Sequence, residues 1–110
     1  MEVLEYITED EKSPFAVWFS RLGPQAAAKI AVALIRMEQG NLSNCKSLGG
    51  GLWENKLVFG PGYRLYFGKS GEKIVILLTG GTKGSQSKDI KKAKSYWQDY
   101  KKRKRAEQWH

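Results

Sequence analysis

The sequence predicts an α+β fold: an antiparallel meander sheet with an N-terminal strand, a helical hairpin packed on one face, and a C-terminal helix. Three observations lead there. Residues 49–83, GGGLWENKLVFGPGYRLYFGKSGEKIVILLTGGTK, alternate apolar with polar and are interrupted by two glycine-bearing turns, the pattern of three antiparallel strands. Residues 15–37 carry apolar stripes at helical spacing on either side of Gly23-Pro24. Ile90, Ala93, Trp97 and Tyr100 form a further stripe of the same kind near the end of the chain.

The first segment, EVLEYIT at residues 2–8, reads as a short strand able to join the meander. Ser13-Pro14 is a helix start, since serine caps and proline suits the first helical position. Phe15, Trp18, Phe19 and Leu22 then recur on one face. Gly23-Pro24 ends that helix and begins another, whose stripe is Ala27, Ile30, Ala31, Leu34 and Met37. Residues 41–51 read as a polar connector whose three glycines form a flexible lead-in to the meander.

Within the meander, a three-residue loop at Gly60-Pro61-Gly62 sets Phe59 opposite Tyr63, Leu57 opposite Leu65 and Asn55 opposite Phe67. Val58 then faces Arg64, and Lys56 faces Tyr66. A two-residue turn at Ser70-Gly71 places Ile74, Ile76 and Leu78 on the same side as Phe67, Leu65 and Tyr63. One face is therefore apolar with Asn55 as its exception. The opposite face, with Glu54, Lys56, Val58, Arg64, Tyr66, Val75, Leu77 and Thr79, is expected to be open. Residues 80–86 read as a mobile loop, Ser87 as the cap of the last helix, and residues 101–110 as a basic tail of a single domain spanning 1–110.

The 110 residues are 41% hydrophobic and 27% charged, a globular composition. No apolar run is long enough to span a bilayer and the acidic start lacks the basic end of a secretory signal, so a cytoplasmic protein with no membrane partner is expected. One cysteine, Cys45, and one histidine, His110, provide no metal-ligand set, and no cofactor motif is present. Charge is polarised: residues 1–55 carry a net −2 and residues 56–110 a net +10. That asymmetry favours a polyanion, or else an acidic protein.

GLWENKLVFGPGYRLYF followed by LLTGGTKGSQSKDIKKAKSYWQDY, in that order of elements, resembles the RelE/ParE toxin superfamily. Within it the chain is most similar to the addiction module killer protein branch, the HigB-like toxins of type II toxin–antitoxin systems. The resemblance extends over residues 2–100, and GPGYRLYF and GGTKGSQSKDIKKAKSYW are its most specific pieces. It implies a cognate helix-turn-helix antitoxin as partner in a toxin–antitoxin hetero-oligomer. It implies also a ribosome-dependent endoribonuclease that cuts mRNA on the ribosome, while the ParE side inhibits DNA gyrase by binding.

Metal-independent RNA cleavage needs a 2′-hydroxyl deprotonated, a phosphate stabilised and a leaving oxygen protonated. The resemblance matches Lys56, Arg64 and Lys83 to the superfamily's basic positions. Arg64 suits the phosphate because its guanidinium donates in pairs and stays charged. Lys56 is assigned proton transfer and Lys83 the leaving group or a flanking phosphate. Tyr66 is assigned base stacking or assistance to proton transfer, and Lys101, Lys102 and Arg103 contact with RNA. Three readings remain open at this point: an mRNA endoribonuclease, a gyrase-binding toxin without chemistry of its own, and a nucleic-acid-binding module. Arg64→Ala is expected to abolish the first without disturbing the fold.

Overall fold

The computed structural model describes residues 1–108, so His110 lies outside the described residues. The elements are β1 (Glu2–Glu5), α1 (Pro14–Ser20), α2 (Pro24–Glu38), β2 (Cys45–Gly49), β3 (Leu52–Leu57), β4 (Tyr63–Ser70), β5 (Ile74–Thr82), a 3₁₀ turn at Lys83–Ser85 and α3 (Gln86–Gln108). The strands form one five-stranded sheet in the order β1-β5-β4-β3-β2. It is mixed, because β1 runs parallel to β5 while every other pair is antiparallel. The chain is thus α+β, as its patterning predicts.

The helix starts obey local chemistry. Ser13 caps α1 by accepting from the Ala16 amide at 3.0 Å, with Pro14 at the first helical position. Pro24 opens α2 in the same way. α2 buries Ala26, Ile30, Ala33 and Met37, a stripe slightly rotated from the expected one. Phe15, Ile30 and Met37 pack with Leu65, Phe67, Val75 and Leu77, so the helical hairpin does cover one face of the sheet.

The other face is not open. Tyr6, Leu52, Tyr66, Ile76 and Leu78 pack with Ala93 and Trp97 of α3, making a second core. The long apolar run at 74–78 therefore belongs to a strand buried on both sides. Its parity differs from the expected one. Ser70 pairs with Ile74, leaving three residues in the turn rather than two, which sends Ile76 and Leu78 to the α3 side and Val75 and Leu77 to the α1–α2 side. A one-residue change of loop length flips a whole strand.

The β3–β4 register also differs, by two residues. Leu57 pairs with Tyr63, Lys56 with Arg64, Asn55 with Leu65, Glu54 with Tyr66 and Trp53 with Phe67. The connecting loop is five residues, Val58–Gly62, with Gly60 and Gly62 at φ 53° and 77°. A slip of two preserves which face each side chain meets, so both strands keep their expected sides.

Two segments expected to lack structure are ordered. Cys45–Gly49 pairs with β3, and Gly49, Gly50 and Gly51, with φ of 95°, 64° and 85°, make the reversal between them. Cys-Lys-Ser-Leu-Gly has neither alternation nor strong β propensity, so it carries no strand signal. Gly80 and Gly81 lie inside β5 because helices approach it closely. A Cβ at Gly80 would stand 2.5 Å from the Trp18 ring, and one at Gly81 would overlap the Asp89 carboxylate. Thr82 and Ser85, not Ser87, cap the turn that leads into α3. Lys101–Arg105 are helical, and α3 continues to Gln108.

Candidate functional site

Lys56, Arg64 and Lys83 converge at one end of the sheet. Lys56 is the direct cross-strand partner of Arg64, closer than the diagonal expected from sequence. Arg64 pairs in turn with Gly81, and the Lys83 amide donates to Gly62 O at 2.9 Å. A Cβ on Gly62 would lie 3.4 Å from both Arg64 Nη1 and Lys83 Cβ, so the glycine is where the basic residues close together. The side chains of Lys56 and Lys83 are exposed.

Arg64 is different in kind, being only 4% exposed. Its Nη1 donates to Gly62 O at 3.0 Å, and its Nε stands 3.3 Å from Glu54 Oε1, inside ion-pair range but off the line of a hydrogen bond. Glu54 Oε2 accepts from Gln86 Nε2 at 3.1 Å. The guanidinium is thus held from β3, from the β3–β4 loop and, through Glu54, from the first turn of α3. Ser85 donates to Asp89, a buried acid of the same turn.

Arg64, Glu54 and Gln86 form the floor of a groove of about 570 Å³, with Lys46 and Lys56 among its lining residues. Exposed ammonium groups at the rim and a fixed guanidinium beneath are donors only, which suits a phosphate or another oxyanion. Glu54 at the floor holds Arg64 in one orientation and supplies a carboxylate beside it. Among the described residues, no three His, Cys, Asp or Glu side chains are grouped as a metal site.

Tyr66 lies on the covered face with 0% exposure, so its ring presents no open side to a base. Burial, and then the carboxylates of Glu54 and Asp89, push its phenol well above the ordinary value, so it stays protonated. Its hydroxyl finds no hydrogen-bond partner among the described residues.

Lys101, Lys102 and Arg103 belong to the opposite end of α3. Trp97 of that end sits over Gly68, and its indole donates to Gly50 O at 2.7 Å, with Lys101 Nζ 3.3 Å from the same carbonyl. Arg103 bridges Asp99 at 2.9 Å and donates to Ile7 O at 2.5 Å. Tyr6 donates to Asp99 at 2.5 Å, completing a cluster that ties α3 to the segment after β1. Burial, followed by the Asp99 hydrogen bond and charge, pushes the Tyr6 phenol up to about 12. The Tyr6 hydrogen bond foremost, and Arg103 after it, hold Asp99 below the usual carboxylate range.

The residues that sequence reasoning passed over are Lys46, Glu54 as the partner of Arg64, and Gln86. Lys46 lies on the strand that had no signal. Glu54 was assigned to the right face, but only the corrected register and α3 above it bring it to the guanidinium.

No protein-family model matches the chain. An uncharacterized protein of Haemophilus influenzae (strain ATCC 51907 / DSM 11121 / KW20 / Rd) is 42% identical over 81 residues, covering 73% of this chain and 82% of that protein.

Proposed function

The chain belongs to the same family as the uncharacterized Haemophilus influenzae protein. From the resemblance carried by GPGYRLYF and GGTKGSQSKDIKKAKSYW, we propose that it is a RelE/ParE-like toxin of the HigB-like branch. In this reading it is a metal-independent, ribosome-dependent mRNA endoribonuclease of the cytoplasm, neutralised by a helix-turn-helix antitoxin. The observation that supports it most is the meeting of Lys56 and Arg64 in one groove, with Lys83 beside Arg64 across Gly62. Lys56, exposed at the rim, exchanges the proton of the attacking 2′-hydroxyl. Arg64, fixed by Glu54, stabilises charge on the phosphate, and Lys83 attends the leaving oxygen or the next phosphate. The ribosome supplies orientation of the strand, an effect worth on the order of 7–11 kcal/mol in favourable cases.

The test is induction of the chain with and without its antitoxin, mapping new 5′ ends across cellular mRNA. Lys56→Ala and Lys83→Ala are the informative variants because both side chains are exposed. Cuts within translated frames that disappear in these variants support the nuclease. A second reading is favoured by the engagement of Arg64 with Glu54 and Gly62 O, which leaves the guanidinium partly occupied: inhibition by binding alone, as in the gyrase-directed toxins. Growth arrest without new 5′ ends would select it.

A further inference from the structure

Asn55 is a polar side chain on the mostly apolar meander face that packs against α1 and α2, and it is 5% exposed. Its Oδ1 finds no hydrogen-bond partner among the described residues. It lines a second groove, between α2 and β3, of about 330 Å³, within the roughly 300–1,000 Å³ range of small-molecule sites. Lys29, Arg36 and Lys56 also line this groove, and none of its described lining residues is acidic. Val32 and Phe59 supply apolar wall, with Lys29 Nζ 5.5 Å from the centre of the Phe59 ring.

We propose that this groove binds one nucleotide, with its base against Phe59 and Val32, its phosphate held by Lys29 and Arg36, and a base N–H donating to Asn55 Oδ1. That oxygen is closed from solvent in the free chain and is reached by a turn of the amide toward the groove. Each part of the ligand is set by a different feature. Three cations without an acid select an anion. A buried acceptor without a donor selects a group carrying N–H, since an unmet acceptor costs free energy that a ligand donor recovers. An aromatic and aliphatic wall selects a flat ring. A nucleotide joins all three, whether free or as one unit of a single strand. Lys56 borders both this groove and the Arg64 groove, so a strand unit seated here continues directly toward that site. The proposal concerns binding and does not require that the chain cleave RNA.

The ¹⁵N-labelled chain would be titrated with the four ribonucleoside 5′-monophosphates, ribose 5-phosphate, inorganic phosphate and a single-stranded hexaribonucleotide, following backbone amide shifts. Shifts at residues 29–36 and 55–59 with a monophosphate, at least tenfold weaker with ribose 5-phosphate, are expected. Such shifts with the hexaribonucleotide alone would identify the occupant as a strand unit and equally support the site. The Lys29→Ala/Arg36→Ala double variant, both residues exposed on α2, should weaken binding roughly tenfold or more. Asn55→Leu should remove the preference over ribose 5-phosphate. Equal response to inorganic phosphate, shifts confined to the Arg64 groove, no response, or an unaffected double variant would each overturn the proposal. Loss of mRNA cutting with these shifts intact would instead count against the nuclease alone.

Discussion

Glu54 and Arg64 are 2% and 4% exposed, and two charges taken out of water cost more than their attraction returns unless other groups complete them. Here Gln86 and the Gly62 carbonyl do so. Removing one partner leaves a buried charge alone, so Arg64→Ala should lower unfolding free energy by about 3–5 kcal/mol in urea titration. Glu54→Gln combined with Arg64→Met should lose distinctly less. The expectation that Arg64→Ala spares the fold is therefore corrected: loss of activity in that variant does not isolate a chemical role. A second residue-scale outcome concerns pH. The Tyr6–Asp99 hydrogen bond needs a neutral phenol and an ionised carboxylate. The phenol's contribution is fully present below its unfolded value of about 10 and is lost as pH rises through about 12. That of Asp99 is present above its unfolded value of about 3.9 and is lost as pH falls through its lower folded value. Melting temperatures of wild type and Tyr6→Phe should converge toward pH 12 and differ most near neutrality; parallel curves would refute the cluster's part in stability.

At the scale of elements, contacts between helices and bare strand backbone set the positions of α1 and α3. Trp18 lies on Gly80, Asp89 on Gly81 and Trp97 on Gly68, where a Cβ would stand only 2.2 Å from the indole. Gly68→Ala should therefore displace Trp97 and cost about 1–3 kcal/mol by overpacking, read as a lower melting temperature. Gly81→Ala should act more specifically, pushing the first turn of α3 outward. It should release Gln86 from Glu54 and expose Arg64, with faster amide exchange at residues 83–89 as the measurable sign. Gly80 and Gly81 are visible in the sequence as a TGGT stretch, but there they signal a loop. They are strand residues because the partner that fills the missing side chain's space comes from elsewhere in the chain.

Across the whole molecule, the polarised charge supplies attraction and the sheet decides where it is concentrated. The +10 half contributes Lys56, Arg64 and Lys83 to one end and Lys101 and Arg103 to the other, where Arg103 is occupied by Asp99. Single-stranded RNA binding should weaken with salt, and Lys56→Ala should reduce the log–log slope by about 0.7, the value for one phosphate contact. Arg103→Ala should leave it nearly unchanged, as fluorescence anisotropy across a salt series would measure. The sequence by itself determined the α+β class, the helical hairpin, the capped start at Ser13 and which faces of β3 and β4 point together. Hydrophobic period and cap chemistry are local, and they survive a two-residue error in register. The tertiary structure alone decided that β2 is a strand, that β5 turns its alternate side chains toward α3, and that this helix closes the face on which Arg64 and Tyr66 lie. Those outcomes depend on loop length and on which distant surface has apolar area left to bury. For the same reason Glu54 becomes the partner of Arg64 only once the register and α3 are both in place.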